Sequence, residues 1–501
     1  MFEAAELGRS VDKAQYAKQE PKLRTTLLEL QSKVLEADFP VLVLVNGVDG
    51  AGKGEVVNLL HEWMDPRYMP TFAYDEATDE ERSRPYFWRF WRTLAPRGRI
   101  GVYFGSWYTD PIVDRVYKRV GRAGFERSLE RVRSFERMLV DDGALIVKFW
   151  FHLSHAEQAR RFKEWRKKQA TRWKVSAQDL KNHARYDRFR KVSEQALFST
   201  STGEAPWTVI EATDDRYRNL AAGDHLAERI HEHVALLKKT RNGKSKPVHR
   251  ADIRADVGVR LSENKTVLSQ IDLGQKVDDD TYDERLQALQ SRLAGHAARL
   301  QKEKRSALIL FEGWDAAGKG GAIRRITQAL DARRYQVVPI AAPSDEERAQ
   351  HYLWRFWRHL PRDGRFTLYD RSWYGRVLVE RVEGFASEAE WRRAYAEINE
   401  FEQQLHESGV ILVKLWLHIS KAEQLRRFKA REETAFKKYK ISQDDYRNRS
   451  RWLAYERAVN DMVARTSSPD APWHLVAAND KRHARLEVLD QVCDRLRSSL
   501  G

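Results

Sequence analysis

Leu308-Ile309-Leu310-Phe311-Glu312-Gly313-Trp314-Asp315-Ala316-Ala317-Gly318-Lys319-Gly320 is the stretch whose reading decides the fold. An apolar run of strand length enters a glycine loop that ends in Lys319, and the helical pattern Ala322-Ile323-Arg324-Arg325-Ile326 follows. The spacing G-x-x-x-x-G-K lets backbone N–H groups, here those around Gly313, Ala317, Gly318 and Gly320, wrap around phosphate oxygens. The positive end of the next helix and the Lys319 ammonium face the same anion. One position departs from the usual pattern: Gly320 stands where a Ser or Thr hydroxyl normally ligates magnesium. Such a loop needs its metal ligand elsewhere, and Asp315, inside the loop itself, is the candidate for Mg2+.

The chain writes this unit twice. Asn46-Gly47-Val48-Asp49-Gly50-Ala51-Gly52-Lys53-Gly54 matches Glu312 to Gly320 at an offset of 266, Lys53 to Lys319. The same offset aligns Tyr86-Phe87-Trp88-Arg89-Phe90-Trp91 with Tyr352-Leu353-Trp354-Arg355-Phe356-Trp357. It also aligns Ser106-Trp107-Tyr108 with Ser372-Trp373-Tyr374, and Arg160-Arg161-Phe162-Lys163 with Arg426-Arg427-Phe428-Lys429. Two domains of one fold are therefore expected, 1–237 and 264–501, joined by a polar linker at 238–263.

Each half alternates helical and strand patterns. In the second half a helix at 282–302 precedes the strand, loop and helix, a polar helix is expected over 345–360, and a strand follows at 365–369. A helix at 388–406 leads to the apolar strand 410–417, and a last strand is expected at 473–477. That alternation predicts α/β architecture: tandem P-loop kinase-like domains, each a parallel sheet flanked by helices, with ligands at the carboxyl ends of the strands.

At such an end stand Tyr369-Asp370-Arg371-Ser372-Trp373-Tyr374. Asp370, beside the phosphate loop, completes with Asp315 a two-carboxylate site suited to a magnesium ion that keeps several waters. Arg371 can fork onto a phosphoryl oxygen during transfer. Without its neighbours the Asp370-Arg371 pair would read equally well as a surface ion pair. A basic segment follows, Arg426-Arg427-Phe428-Lys429-Ala430-Arg431 and then Lys437-Lys438-Tyr439-Lys440. Alone it would read as a solvated helix face. After the third strand of a nucleoside monophosphate kinase-like fold it reads as a lid that closes over the phosphates, with Arg426, Arg427, Lys437 and Lys440 on the substrate and Arg431 on the transferring group.

The halves differ where the chemistry should lie. Phe104 and Gly105 replace Asp370 and Arg371, Trp165 replaces Arg431, and Thr171 replaces Lys437. A phenyl ring cannot ligate magnesium, so the first half is expected to be inactive and the second catalytic. The Trp-Arg-Phe-Trp clusters and the strand-end histidines His152 and His418 occur in both halves and read as scaffold.

Composition sets the outer bounds. The chain has 501 residues and a formal charge of +16, which favours a polyanionic partner, and Cys493 is the only cysteine, which excludes an intrachain disulfide. No run approaches the length of a membrane span, and Met1 to Glu6 lacks the layout of a signal peptide, so a cytoplasmic protein that binds no membrane is expected. No helix-turn-helix, RNA-recognition or zinc pattern points to nucleic acid.

The loop Gly313 to Gly320, the motif Tyr369 to Tyr374 and the basic lid Arg426 to Lys440 together resemble the polyphosphate kinase 2 family, and its two-domain class in particular. The resemblance implies Mg2+-dependent transfer of a terminal phosphoryl from inorganic polyphosphate to AMP, giving ADP. Asp315 and Asp370 look like the metal and phosphate-positioning carboxylates, and Lys319, Arg371 and Arg431 like the cations on the phosphates. Ala435 stands where the family commonly has proline and Tyr439 where it commonly has tryptophan. A homo-oligomer is plausible from the same resemblance. Two other readings stay open at this point: an ATP-dependent nucleoside monophosphate kinase, and a non-enzymatic polyanion-binding protein.

Overall fold

The computed structural model describes residues 1–241, 266–434 and 443–501. Most of the expected linker therefore lies outside the described residues, as do Ala435, Lys437, Tyr439 and Lys440 of the lid; residues 238–241 continue the helix Asp215–Arg241. By compactness the chain divides into two units. One holds Met1–Ala77, Arg89–Val248 and Asp345–His351; the other holds Thr78–Trp88, His249–Ser344 and Tyr352–Gly501. Each unit is one sequence copy apart from a short segment taken from the other copy.

Each unit carries a five-stranded sheet in which every neighbouring pair is parallel. In the first, β1 (Val41–Gly47), β2 (Thr71–Ala73), β3 (Ile100–Phe104), β4 (Leu145–His152) and β5 (Trp207–Glu211) lie in the order β2-β3-β1-β4-β5. In the second, β6 (Ser306–Gly313), β7 (Tyr335–Pro339), β8 (Phe366–Asp370), β9 (Val410–His418) and β10 (Trp473–Ala477) lie in the equivalent order β7-β8-β6-β9-β10. Strands β6 and β9 are covered on both faces, which is why they read as unbroken apolar runs rather than alternating ones. The sheet places Phe311 of β6 beside Asp370 of β8, so the phosphate loop and the Asp-Arg motif leave adjacent strands at the same edge.

The polar helix expected over 345–360 is instead two single turns, Asp345–Arg348 and Trp354–Trp357. Tyr352, Leu353, Trp354, Phe356 and Trp357 are all buried, so no polar helix face remains to run continuously through them.

One buried network recurs in both units and explains two of the three residues of the Ser-Trp-Tyr motif. Trp373 Nε1 and Tyr374 Oη donate to Glu402 Oε1 at 3.0 and 2.6 Å, and Lys414 Nζ donates to Glu402 Oε2 at 2.7 Å and to the Thr466 carbonyl at 2.6 Å. Trp107, Tyr108, Glu136, Lys148 and Thr200 repeat it. Burial pushes the Lys414 pKa down and the Glu402 pKa up, and their mutual attraction opposes both shifts. Removing one partner strands the other charge, so Lys414→Met is expected to cost about 3–5 kcal/mol of stability. Urea unfolding measures it, and an unchanged midpoint would show that the pair carries no such weight.

Candidate functional site

Gly313 ends β6 at φ 149°, where a Cβ would stand 2.5 Å from the Leu417 carbonyl oxygen, so only glycine lets β6 and β9 close up before the loop turns. Gly318, at φ 113°, caps the helix Lys319–Thr327. That helix presents the N–H groups of its first turn, Lys319 and Gly320 among them, which have no intrahelical partner. The N–H of Ala317 bonds instead to the Trp314 carbonyl at 3.0 Å and serves the turn itself. Lys319 Nζ lies over the loop, donating to the Gly313 carbonyl at 2.8 Å and the Trp314 carbonyl at 3.3 Å. One of its three protons remains for an anion. A side chain at Gly320 would meet open space, so the missing hydroxyl is a chemical difference and not a steric one.

Arg371 reaches from β8 to the loop: Nη2 donates to Asp315 Oδ1 at 2.9 Å. Asp315 Oδ2 accepts from Asn448 Nδ2 at 3.0 Å, and Gln424 Nε2 donates to the Asp315 carbonyl at 3.2 Å. Behind them sits Glu312, buried, accepting from Ser372 Oγ at 2.8 Å. Burial raises the Glu312 pKa, and the Ser372 hydrogen bond and the charges of Lys319 and Arg371 oppose it. Burial and the Arg371 charge lower the Lys319 pKa, against the pull of Asp315, Asp370 and Glu312. For Arg371 burial acts downward, and the same three carboxylates outweigh it. Two cations and three carboxylates thus share one field.

The donor set suits a hard cation. Each Asp315 oxygen carries one hydrogen bond and keeps a lone pair, and Asp370 offers a second carboxylate at the neighbouring strand end. Among the described residues no group of three or more His, Cys, Asp or Glu side chains could hold a metal, so a closed structural site does not form here. A divalent ion that takes one or two carboxylates and completes its shell with water and phosphate oxygens fits.

The basic residues divide. Arg427, expected on the substrate, is 4% exposed and turns the other way. Its guanidinium donates to the carbonyls of Ala316, Ala317, Ala478 and Asn479 at 2.7–3.0 Å and to Glu423 at 2.6 Å, so it clamps the loop backbone and has no donor left for phosphate. Arg161 does the same for Gly50, Ala212 and Thr213. Retention of this arginine in both copies was the available signal. Arg426 is exposed and paired with Glu423, and Arg431 lies in the last turn of the helix Lys421–Glu432, just before the undescribed part of the lid.

Four further residues escaped the sequence reading. Glu312 differs from its repeat partner Asn46, which is a signal of the same kind as Asp370 against Phe104. Asn448 and Gln424 orient Asp315, as Asn182 and Gln158 orient Asp49. Trp314 stacks on Trp452 with centroids 3.6 Å apart, fills the loop's apolar side and donates through Nε1 to His418 Nδ1 at 3.0 Å. The cavity left beside Asp315 and Arg371 is about 60 Å³.

His418, as expected, is scaffold. Two indole N–H groups, of Trp314 and Trp416, point at Nδ1, and burial pulls its pKa down to about 4. A base depressed in the folded state binds its proton only on unfolding. Between pH 6.5 and 4 it therefore lowers stability as the pH falls, by about 3 kcal/mol across that window. His418→Asn, whose Oδ1 takes the place of Nδ1, is expected to flatten the acid limb of melting temperature against pH; parallel curves would refute the assignment.

The first copy keeps the frame and lacks the charges. Lys53 Nζ donates to the Gly47 and Val48 carbonyls at 2.8 and 3.2 Å, but with Gly105 in place of an arginine it makes its ion pair with Asp49, at 3.5 Å. Phe104 ends β3 where β8 ends in Asp370.

Known proteins resemble this chain along its whole length. The model of the family Polyphosphate kinase 2 matches residues 10–237 and again 276–500. The polyphosphate:AMP phosphotransferase of Pseudomonas aeruginosa is 50% identical over 500 residues, covering 100% of this chain and 99% of that one. The protein of the same description from Acinetobacter johnsonii is 37% identical over 91% of each chain. A crystal structure of a putative polyphosphate kinase 2 from Pseudomonas aeruginosa superposes with a TM-score of 0.86 at 48% identity, covering 100% and 99% of the two chains.

Proposed function

The chain belongs to the polyphosphate kinase 2 family, and on that premise we propose that it moves the terminal phosphoryl of inorganic polyphosphate to AMP, giving ADP, in its second copy alone. The observation that carries the reading is the Arg371–Asp315 bridge of 2.9 Å beside Lys319 and Asp370, which the first copy cannot form. Phosphoryl transfer asks for positioning and charge stabilisation more than for covalent work, and these side chains supply both. Lys319 and the first-turn N–H groups hold the phosphates of the donor chain. Arg371, anchored by Asp315, faces the oxygens on which charge develops, and Arg431, in the last turn of its helix, adds a further cation for the polymer. Asp315 and Asp370 would hold Mg2+, which when bound would supply positive charge to the phosphates. Ser372 Oγ is engaged with Glu312 and both aspartates are assigned to the metal, and we read the transfer as direct and in line. The domains are read as a degenerate 1–237, a linker 238–263 and a catalytic 264–501.

No described helix is long and apolar enough to cross a membrane. The deciding experiment feeds AMP with either polyphosphate or ATP as sole donor, with and without magnesium, and measures ADP. Formation from polyphosphate only with the metal present is expected. Formation from ATP alone would make the protein an ordinary nucleotide kinase.

A further inference from the structure

A large cavity lies in the copy that lacks the reactive charges. It measures about 360 Å³, in the range of small-molecule sites and several times the 60 Å³ of its counterpart beside Arg371. Paired positions account for the difference. Val48 stands where Trp314 fills the second copy, and Tyr186, whose hydroxyl is drawn away to the Leu153 carbonyl at 2.6 Å, stands where Trp452 stacks on that ring. The first copy has thus lost its metal carboxylate and its arginine yet has gained room at the same strand ends.

The wall is not finished as an apolar void would be. Asn46 Nδ2, Trp150 Nε1, His152 Nδ1 and Ser193 Oγ belong to residues that line the cavity, are at most 7% exposed, and have no hydrogen-bond partner among the described residues. Buried polar atoms of this kind are normally paired, as those of the counterparts Glu312, Trp416 and His418 are in the second copy. Aromatic rings of Phe2, Phe104, Trp150 and Phe189 offer flat apolar surface, and Lys53 with the helix behind it offers one anion position at the far end.

Charge narrows the ligand. Lys53 and Arg190 in the wall stand against Asp75 and against Asp49, 3.5 Å from Lys53, so the lining charges cancel and the pocket is ill suited to a polyanion. A flat heteroaromatic group joined to a single phosphate matches both ends. We propose that the first copy is a non-catalytic nucleoside monophosphate site, with the base among the aromatic rings and the phosphate at Lys53. The inference rests on the proposed function only for its choice of probe, AMP.

Calorimetric titration of AMP into the full chain, without polyphosphate, is expected to show two sites per chain. Val48→Trp, which installs the ring that fills the second copy, should leave one site, and Lys53→Ala should weaken binding at that same site at least tenfold. Ser193→Leu, at another lining residue, provides a second blocking variant if Val48→Trp does not fold, with circular dichroism reporting the fold. A single site in the parent chain, untouched by either blocking variant and by Lys53→Ala, would overturn the proposal. Turnover in the same preparations keeps the two readings apart: ADP made from polyphosphate by a chain with that single site leaves the proposed function standing and removes only this one.

Discussion

Arg371→Gly is expected to lower turnover by about three to five orders of magnitude while leaving the fold as stable as before. Loss of an arginine that meets the transferring phosphoryl accounts for the first effect. The second follows from the backbone. Arg371 sits at φ 69°, in the left-handed region, and its counterpart Gly105 has the same angle. For an L-residue that conformation costs about 1–2 kcal/mol, a cost glycine avoids. Glycine also frees the unfolded chain, and the partly exposed ion pair with Asp315 disappears, each worth up to about 1 kcal/mol, so the sum lies near zero. Arg371→Ala keeps the strain and loses the pair, and should be the less stable variant. Urea midpoints of the two variants beside ADP production form the test. Activity within tenfold of the parent, or an alanine variant more stable than the glycine one, would contradict the argument.

The same pattern holds one loop away. Ala316 stands at φ 64° where the first copy has Gly50 at 81°. The copy read as catalytic therefore holds two side-chain-bearing residues in a conformation its sister assigns to glycine, as expected where strain is retained for function.

How much of this was legible beforehand depends on the kind of signal each residue sends. Strands buried on both faces, β6 and β9, declare themselves by composition, and the offset of 266 between Lys53 and Lys319 doubles every such reading. Strand β7 declares nothing: only Val338 of its five residues is buried, and an edge strand with one inward side chain has no period to detect. Asp370 and Arg371 were visible because the copies disagree there. Glu312 carries the same disagreement with Asn46, but it lies inside an apolar run and was read as part of the strand. Arg427 was misplaced because a run of basic residues does not say which guanidinium faces backbone carbonyls. Its helix decides that, turning Arg427 inward and Arg426 outward.

Asp370→Asn should remove turnover to at most a thousandth of the parent without unfolding the chain. The residue's backbone role survives the change: its carbonyl accepts from Ile340 N at 3.0 Å as part of the β7–β8 edge, and asparagine keeps that bond. What goes is one of the two carboxylates that can hold the cation and one of the three that balance Lys319 and Arg371. Residual activity should need at least tenfold more magnesium for half-saturation, because a lone Asp315 must hold the ion while also anchoring Arg371. A melting temperature within a few degrees of the parent's distinguishes lost chemistry from lost structure, and turnover within tenfold would exclude Asp370 from the metal. Adding Phe104→Asp to this silenced chain extends the test to the other copy. It restores a carboxylate at the end of β3, but Gly105 still offers no guanidinium and Asp49 remains paired with Lys53. Turnover should not rise above that residual level, since the charge that meets the transferring group, and not the carboxylate alone, separates the two copies.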